Sequence, residues 1–317
     1  MEIKFNEKAI EKYLALLDIS VPVDQTRLLD NLGVFFREGQ QTTLNNAGIL
    51  FFASNPTTII PQCSVTCVAY KGNSKVDIID KKTFENDLIS NIEECIAFLK
   101  RHLNVVYEIK SSRRKEKLEI PEVVLRESVV NAVAHRDYFE KGAGVMIEVF
   151  DNRLEISNPG GLPKGLKPED FGSKTLARNP LIAALLNRAK YIEKLGTGIP
   201  RIKQFMSDAG LPDPFFHFDN FFKVVLRRYD PLTELKTDLE IPLFKAKRIL
   251  VLLEKMVNNE KIEPEKIAEE LQTSSRTIRN DLDTLFYENW IMISGETKAR
   301  EYELTAVGKI RLRKYFD

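Results

Sequence analysis

The chain has 317 residues, 43% of them hydrophobic and 29% charged, the balance of an ordinary soluble globular protein with room for two or three domains. Its 47 basic and 46 acidic residues leave a net charge of +1, so any nucleic-acid contact must come from a local patch and not from the field of the whole molecule. No apolar run approaches the roughly 20 residues a membrane span needs, and the charged N-terminus has no apolar signal core, which predicts a cytoplasmic protein with no membrane partner.

Residues 1–118 alternate helix-like and strand-like segments and read as a small α/β domain. "TTLNNAGILFFA" is an apolar run, "CSVTCVAYKG" a strand, and "TFENDLISNIEECIAFLKRHL" a helix with apolar residues at Leu88, Ile92, Cys95 and Leu99. Cys63 and Cys67, read as lying on one strand, would sit on one face about 13 Å apart, too far for a disulfide. With Cys95 they read as buried thiols. The three histidines are scattered, which argues against a zinc site. The charged run "KSSRRKEK" at 110–117 reads as an exposed connector and marks the first boundary.

A second domain is predicted over 119–229. It opens with a helix from Pro121 to Arg136. A hairpin follows, "GVMIEVF" and "RLEISN", turning at Asp151-Asn152. After a loop from Pro159 to Leu176 comes a helix with Asn179 as N-cap and Pro180 at its first position. A further helix, Ile199 to Ala209, stops at Gly210, and "FFKVVLRRY" closes the domain as a strand. Residues 230–244 read as a linker. Over 245–317 the order is three helices, a strand, a charged loop and a strand, that of a winged helix-turn-helix.

His135-Arg136-Asp137 and Asp170-Phe171-Gly172 spell the catalytic-loop and metal-binding tripeptides of protein kinases. The required context is missing: the fifth residue after Asp137 is Gly142 and not Asn, no glycine loop with a strand lysine precedes them, and a long hairpin separates the two. A different pair lies in the same helix. Glu127 and Asn131, at i and i+4, share a face. An amide oxygen can hold a magnesium ion that bridges phosphates, and a carboxylate can orient or deprotonate an attacking water.

By itself E-x-x-x-N is common, so its partners matter. Leu154, Ile156 and Asn158 have one parity on the second hairpin strand, so an inward apolar face ends in an inward amide. Gly160 and Gly161 allow a sharp turn or a close approach to a ligand. Gly196, Thr197 and Gly198 precede a helix whose free N–H groups suit a phosphate. Lys174 and Arg178 lie in the intervening segment, in reach of phosphates if it folds over as a lid.

This ordered set resembles the GHKL ATPases, the class of gyrase, heat-shock protein 90 and histidine kinases. There a helix carries E-x-x-x-N, a strand end carries D-x-G-x-G against adenine, and a lid ends in G-x-G at a helix. "VVNAVAHRDY", "LEISNPGGLPKGL", "ARNPLIA" and "EKLGTGIPRI" more closely resemble the ATP-binding-like domain of transcriptional regulators labelled RecG-like or Schlafen-associated. The resemblance implies an α+β chain: a two-layer α/β sandwich of GHKL type, preceded by the small α/β domain and followed by the winged helix. It also implies ATP and Mg2+ as cofactors. Nucleotide would be held by Asn131, Asn158, Gly160, Gly161, Lys174, Arg178, Gly196, Thr197 and Gly198, with Asn131 at the metal and Glu127 as the catalytic residue of a slow ATPase. Asn158 departs from the class: most members have Asp there, and an amide accepts a weaker hydrogen bond from the adenine amino group.

In the terminal domain the third helix would enter the major groove of double-stranded DNA with Ser275, Arg276, Thr277, Arg279 and Asn280 near its N-terminal end, and Lys298 and Arg300 would touch the backbone or minor groove. The sequence thus predicts an ATP-responsive, DNA-binding transcriptional regulator acting as a homodimer. The alternatives are a GHKL-type ATPase in DNA repair or phage defence, and a regulator with a degenerate pocket.

Overall fold

The computed structural model describes residues 4–19, 24–39, 41–110, 113–192, 197–229, 231–295 and 300–316. The chain divides into two units, Met1–Arg228 and Tyr229–Asp317. Among the described residues no helix is long and apolar enough to cross a membrane.

The first unit opens with helices α1 (Glu7–Leu16) and α2 (Gln25–Asn31), a short hairpin of β1 (Phe35–Glu38) and β2 (Gln41–Leu44), and helix α3 (Asn46–Phe52). Asn6, Asp24 and Asn45 cap the three helices by accepting backbone N–H bonds in their first turns. Then come β3 (Val65–Lys71), β4 (Asp77–Phe84), α4 (Leu88–His102), the hairpin β5 (Val105–Lys110) with β6 (Arg113–Leu118), and α5 (Glu122–Ala134). The unit ends with β7 (Val145–Val149), β8 (Arg153–Pro159), α6 (Pro180–Arg188), α7 (Gly198–Asp208), β9 (Phe215–Phe218) and β10 (Phe221–Arg227).

Six strands form one mixed sheet in the order β4-β3-β7-β8-β10-β9, in which β3 and β7 are parallel and the other neighbours antiparallel. Helices α4, α5 and α7 pack as a second layer, α5 touching both of the others and β8. This is the expected two-layer α/β arrangement. The division expected at 118 runs through it. β3 and β4 belong to the same sheet as β7, β8 and β10, and one core runs from Ile10 to Leu226. Tyr13 in α1 even donates its hydroxyl to the Leu185 carbonyl in α6, 2.9 Å away. Of the charged run at 110–117, expected as a connector, Lys110 ends β5 and residues 113–117 lie in β6, paired with it.

Cys63 lies in a helical turn before β3, not on the strand with Cys67. Cys67 instead meets Cys95 of α4, sulfur to sulfur at 3.6 Å, and all three cysteines are buried and free. The turn at Asp151-Asn152 forms as read, closed by the Phe150 N–H donating to the Arg153 carbonyl at 2.8 Å.

The second unit contains α8 (Pro231–Asp238), α9 (Leu243–Val257), α10 (Pro264–Glu270), α11 (Ser275–Tyr287), the antiparallel strands β11 (Ile291–Ser294) and β12 (Glu301–Leu304), and α12 (Ala306–Phe316). Its core includes Ile249, Leu252, Leu253, Ile278, Leu282 and Leu285. The stretch read as a linker contributes α8, whose Leu235 is fully buried in this core. Leu239 and Ile241, just after it, also pack against this core, and burial at these positions holds a helix that local composition did not reveal. Helix α12, also unread in the sequence, brings Leu312 and Tyr315 into the core, and the Tyr315 hydroxyl donates to Asp238 of α8.

A candidate nucleotide site

Helix α5 is buried on most of its circumference: Val124, Leu125, Val129, Val130 and Val133 are at most 1% exposed. Such a helix belongs in a core. Along it Glu127, Asn131 and His135, at i, i+4 and i+8, form a partly exposed polar stripe. The stripe faces the start of α7. A Cβ on Gly198 would lie 2.6 Å from Glu127 Oε1 and 3.3 Å from Asn131 Nδ2, so the absent side chain is what allows the helix end to approach the pair.

Beside this junction is a cavity of about 120 Å³, whose lining includes Asn131, His135, Gly161, Lys174 and Gly198. Its apolar wall comes from Leu162, Leu166, Leu176, Ile199 and the rings of Phe171 and Phe222. Phe171 also packs on Phe216 and Phe218, with ring centroids 5.1 and 4.9 Å away. None of this wall was read as part of the site. The signal available was "FFHFDNFF" at 215–222, a density of aromatic rings beyond what one strand pair needs.

Asn158 is 1% exposed, at the end of β8, directly opposite Phe222 on β10. Opposed residues in an antiparallel pair share a face, so Asn158 lies on the cavity side of the sheet. Its Nδ2 donates to the Pro159 carbonyl at 3.2 Å, while its Oδ1 is buried with no protein donor. A buried acceptor of this kind requires a partner.

The two glycines after Asn158 serve the chain itself. Gly160 has φ +92°, and a Cβ there would be 2.9 Å from the Asp137 Cβ. At Gly161 it would be 2.1 Å from the Asp219 carbonyl oxygen. The kinase-like tripeptide is likewise structural. Arg136 is fully buried and donates to the carbonyls of Glu140, at 2.8 Å, and of Ala143. Asp137 Oδ2 accepts from Arg178 Nη1 at 3.3 Å, and its N–H donates to the Pro159 carbonyl at 2.9 Å. Burial, and then the nearby Arg178 charge, hold the His135 imidazole below its ordinary pKa, which favours the neutral ring.

Arg178 is turned to Asp137 and to the Gly161 carbonyl, 2.8 Å away, and does not line the cavity. Lys174 does line it, while pairing with Asp170 at 2.9 Å. Asn179 holds the N-cap position of α6, but its side chain makes no cap. It donates instead to the carbonyls of Ala134 and Arg136, at 2.9 and 2.7 Å, closing the C-terminal end of α5. An amide offers both donor and acceptor, and the orphan carbonyls of α5 took the donor. Thr197 is the N-cap residue of α7, without a side-chain cap bond to it. Gly196 and Lys298 lie outside the described residues.

In the second unit, Ser274 caps α11 by accepting the Thr277 N–H at 3.1 Å. Ser275, Arg276, Thr277, Arg279 and Asn280 occupy its first two turns; Arg276, Arg279 and Asn280 are exposed. Arg279 pairs with Glu265 of α10. Arg300, also exposed, precedes β12.

Residues 142–226 match the family described as ATP-dependent DNA helicase recG C-terminal. The match runs from just before β7 into β10. It includes Asn158, both glycine clusters and the apolar wall, but not the helix bearing Glu127 and Asn131. The fold is similar to the crystal structure of the DIP2311 protein from Corynebacterium diphtheriae, with a TM-score of 0.62 and 20% identity. That likeness takes in 98% of this chain and 63% of the other, so this chain spans less than two thirds of that protein's length. No curated protein matches the sequence.

Proposed function

We propose that the chain is a DNA-binding transcriptional regulator that responds to Mg-ATP, acting as a homodimer. The observation that carries the nucleotide part is the meeting of Glu127 and Asn131 with the N-terminal end of α7 at Gly198, beside a cavity whose other wall falls in the stretch, 142–226, that matches an ATPase-type family. Helix N-termini favour phosphate. The unpartnered Oδ1 of Asn158 suits an exocyclic amino group on a base, and the ring-rich wall suits its apolar faces.

Among the described residues no cluster of three or more His, Cys, Asp or Glu side chains could hold a metal alone. Asn131 with a nucleotide's phosphates and water fits magnesium, which is commonly bound through few protein ligands and substrate phosphates. The bound ion would neutralise phosphate charge, Asn131 would position it, and Glu127 would orient or deprotonate water in slow hydrolysis. Lys174 supplies a cation at the cavity mouth.

For DNA, the support is the helix order α9-α10-α11 followed by the β11–β12 hairpin, the arrangement of a winged helix. The first turns of α11 present Arg276, Arg279 and Asn280 to solvent. Lys298 and Arg300 would act from the hairpin loop. Titration of the purified protein with ATP and Mg2+, beside Asn131→Ala and Glu127→Ala, tests the first part. No binding by the unaltered protein overturns it. A sequence-selective shift of promoter DNA that is lost in Arg276→Ala and changed by ATP supports the regulator. DNA-stimulated turnover abolished by Glu127→Ala favours instead an ATPase in DNA repair or phage defence.

A further inference from the structure

Strands β5 and β6 pair with each other as a two-stranded sheet, separate from the six-stranded one. Residues along such a ribbon alternate between its two faces, and directly opposed residues share a face. Lys110 stands opposite Arg113, Glu108 opposite Lys115 and Val106 opposite Lys117, which places these six on one face. Val105, Tyr107 and Ile109, with their partners Leu118, Glu116 and Arg114, occupy the other. That second face carries one base and one acid among apolar residues. The first sets the bases Lys110, Arg113, Lys115 and Lys117 against the single acid Glu108. At the root of the ribbon Leu118 packs against the core of the first unit, while Lys117, one residue earlier and therefore on the basic face, is exposed. The basic face is thus the one turned away from the core at this point.

The whole chain has a net charge of only +1, so this concentration of positive charge is local. It is also regular. On β6 Arg113, Lys115 and Lys117 recur at every second residue, roughly 6.7 Å apart, which is close to two phosphate steps of about 3.4 Å along one strand of a DNA duplex. Of the four bases Lys115 has an acid directly opposite it, whereas Lys110 and Arg113 oppose each other. Like charges so placed destabilise a strand pair, and an anion lying against them relieves the repulsion.

We propose that the basic face of the β5–β6 ribbon is a second DNA-contacting surface, carried by the first unit, which holds the phosphate backbone of a duplex without reading its sequence. An evenly spaced row of cations suits the fixed phosphates of a duplex, whereas a flexible single strand has no such spacing to match. The proposal rests on the DNA-binding part of the reading above, in which α11 reads the bases, and adds to it a contact that positions and does not specify.

The test is the salt dependence of binding to a fluorescent duplex of unrelated sequence, followed by anisotropy with the full chain. Each phosphate neutralised adds about 0.9 to the slope of log affinity against log salt. Lys110→Gln/Arg113→Gln/Lys115→Gln/Lys117→Gln is expected to reduce that slope by about 3 to 4 and to weaken binding at least tenfold near 0.15 M salt. Lys110→Gln/Arg113→Gln alone, which removes the like-charge pair and so leaves the fold at least as stable, is expected to reduce the slope by about 2. Arg114→Gln, on the other face, is expected to leave it unchanged. Arg276→Ala is expected to lose preference for promoter sequence while keeping the ribbon's share of the slope. Ribbon variants that melt like the unaltered protein and keep its slope overturn the proposal and leave the winged-helix reading standing. A slope that falls in the ribbon variants while Arg276→Ala changes nothing supports the ribbon and removes the winged-helix reading. A loss equally large for single-stranded RNA overturns the assignment to duplex DNA, and an unaltered protein that binds no duplex overturns both.

Discussion

Gly198 at the start of α7 and Glu127 in the middle of α5 are packed so closely that a methyl group on the glycine would sit 2.6 Å from the Glu127 carboxylate oxygen. A carboxylate at the end of a flexible side chain can rotate away. Gly198→Ala is therefore expected to cost less than about 1 kcal/mol of stability, since the substitution also favours the helix. It displaces the pair that would meet phosphate and magnesium, so nucleotide affinity should fall roughly tenfold or more. Thermal melting beside calorimetric titration with Mg-ATP checks both halves, and unchanged affinity would separate the glycine from binding.

Gly161 behaves differently because its obstacle is rigid. The nearest atom to an added Cβ is the Asp219 backbone carbonyl oxygen at 2.1 Å. Gly161→Ala should destabilise the first unit by about 1–3 kcal/mol through forced backbone movement, read as a lowered denaturant midpoint. An unchanged midpoint would mean that this loop is free to shift.

His135 is held below its ordinary pKa of 6.5 by burial and Arg178. Above that pH both folded and unfolded chains carry a neutral ring, and the site contributes nothing to pH dependence. As pH falls through 6.5 towards the lower folded value, the unfolded chain takes up the proton first, and stability declines. His135→Gln should flatten the drop in melting temperature between about pH 7 and pH 5, whereas a drop of equal size in the variant would assign it to other groups.

In the second unit Asp281 is 1% exposed and accepts from Arg248 Nε at 2.6 Å and Nη2 at 3.1 Å, joining α11 to α9. Removing one partner strands the other charge. Asp281→Ala should cost about 3 kcal/mol, seen as loss of cooperative unfolding in residues 231–316 by hydrogen exchange, and a loss below about 1 kcal/mol would show that Arg248 finds water instead.

By itself the sequence determined the local features. The parity of Leu154, Ile156 and Asn158 set the inward face of β8, Asp151-Asn152 set its turn, Gly210 ended α7, and Glu127 and Asn131 fell on one face of α5. These depend on periods of 2 and 3.6 residues and on backbone preferences, which act over a few residues. What only the tertiary structure decided were long-range matters. β3 joined β7 across residues 72–144, so no boundary fell at 118. Leu235 found a distant core and turned a linker into a helix. Asn179 abandoned its own helix for the carbonyls of another, and Phe171 met rings 45 to 51 positions further along the chain. Such pairings are chosen by which surfaces can bury together once the whole chain collapses, and no window of neighbouring residues contains that choice.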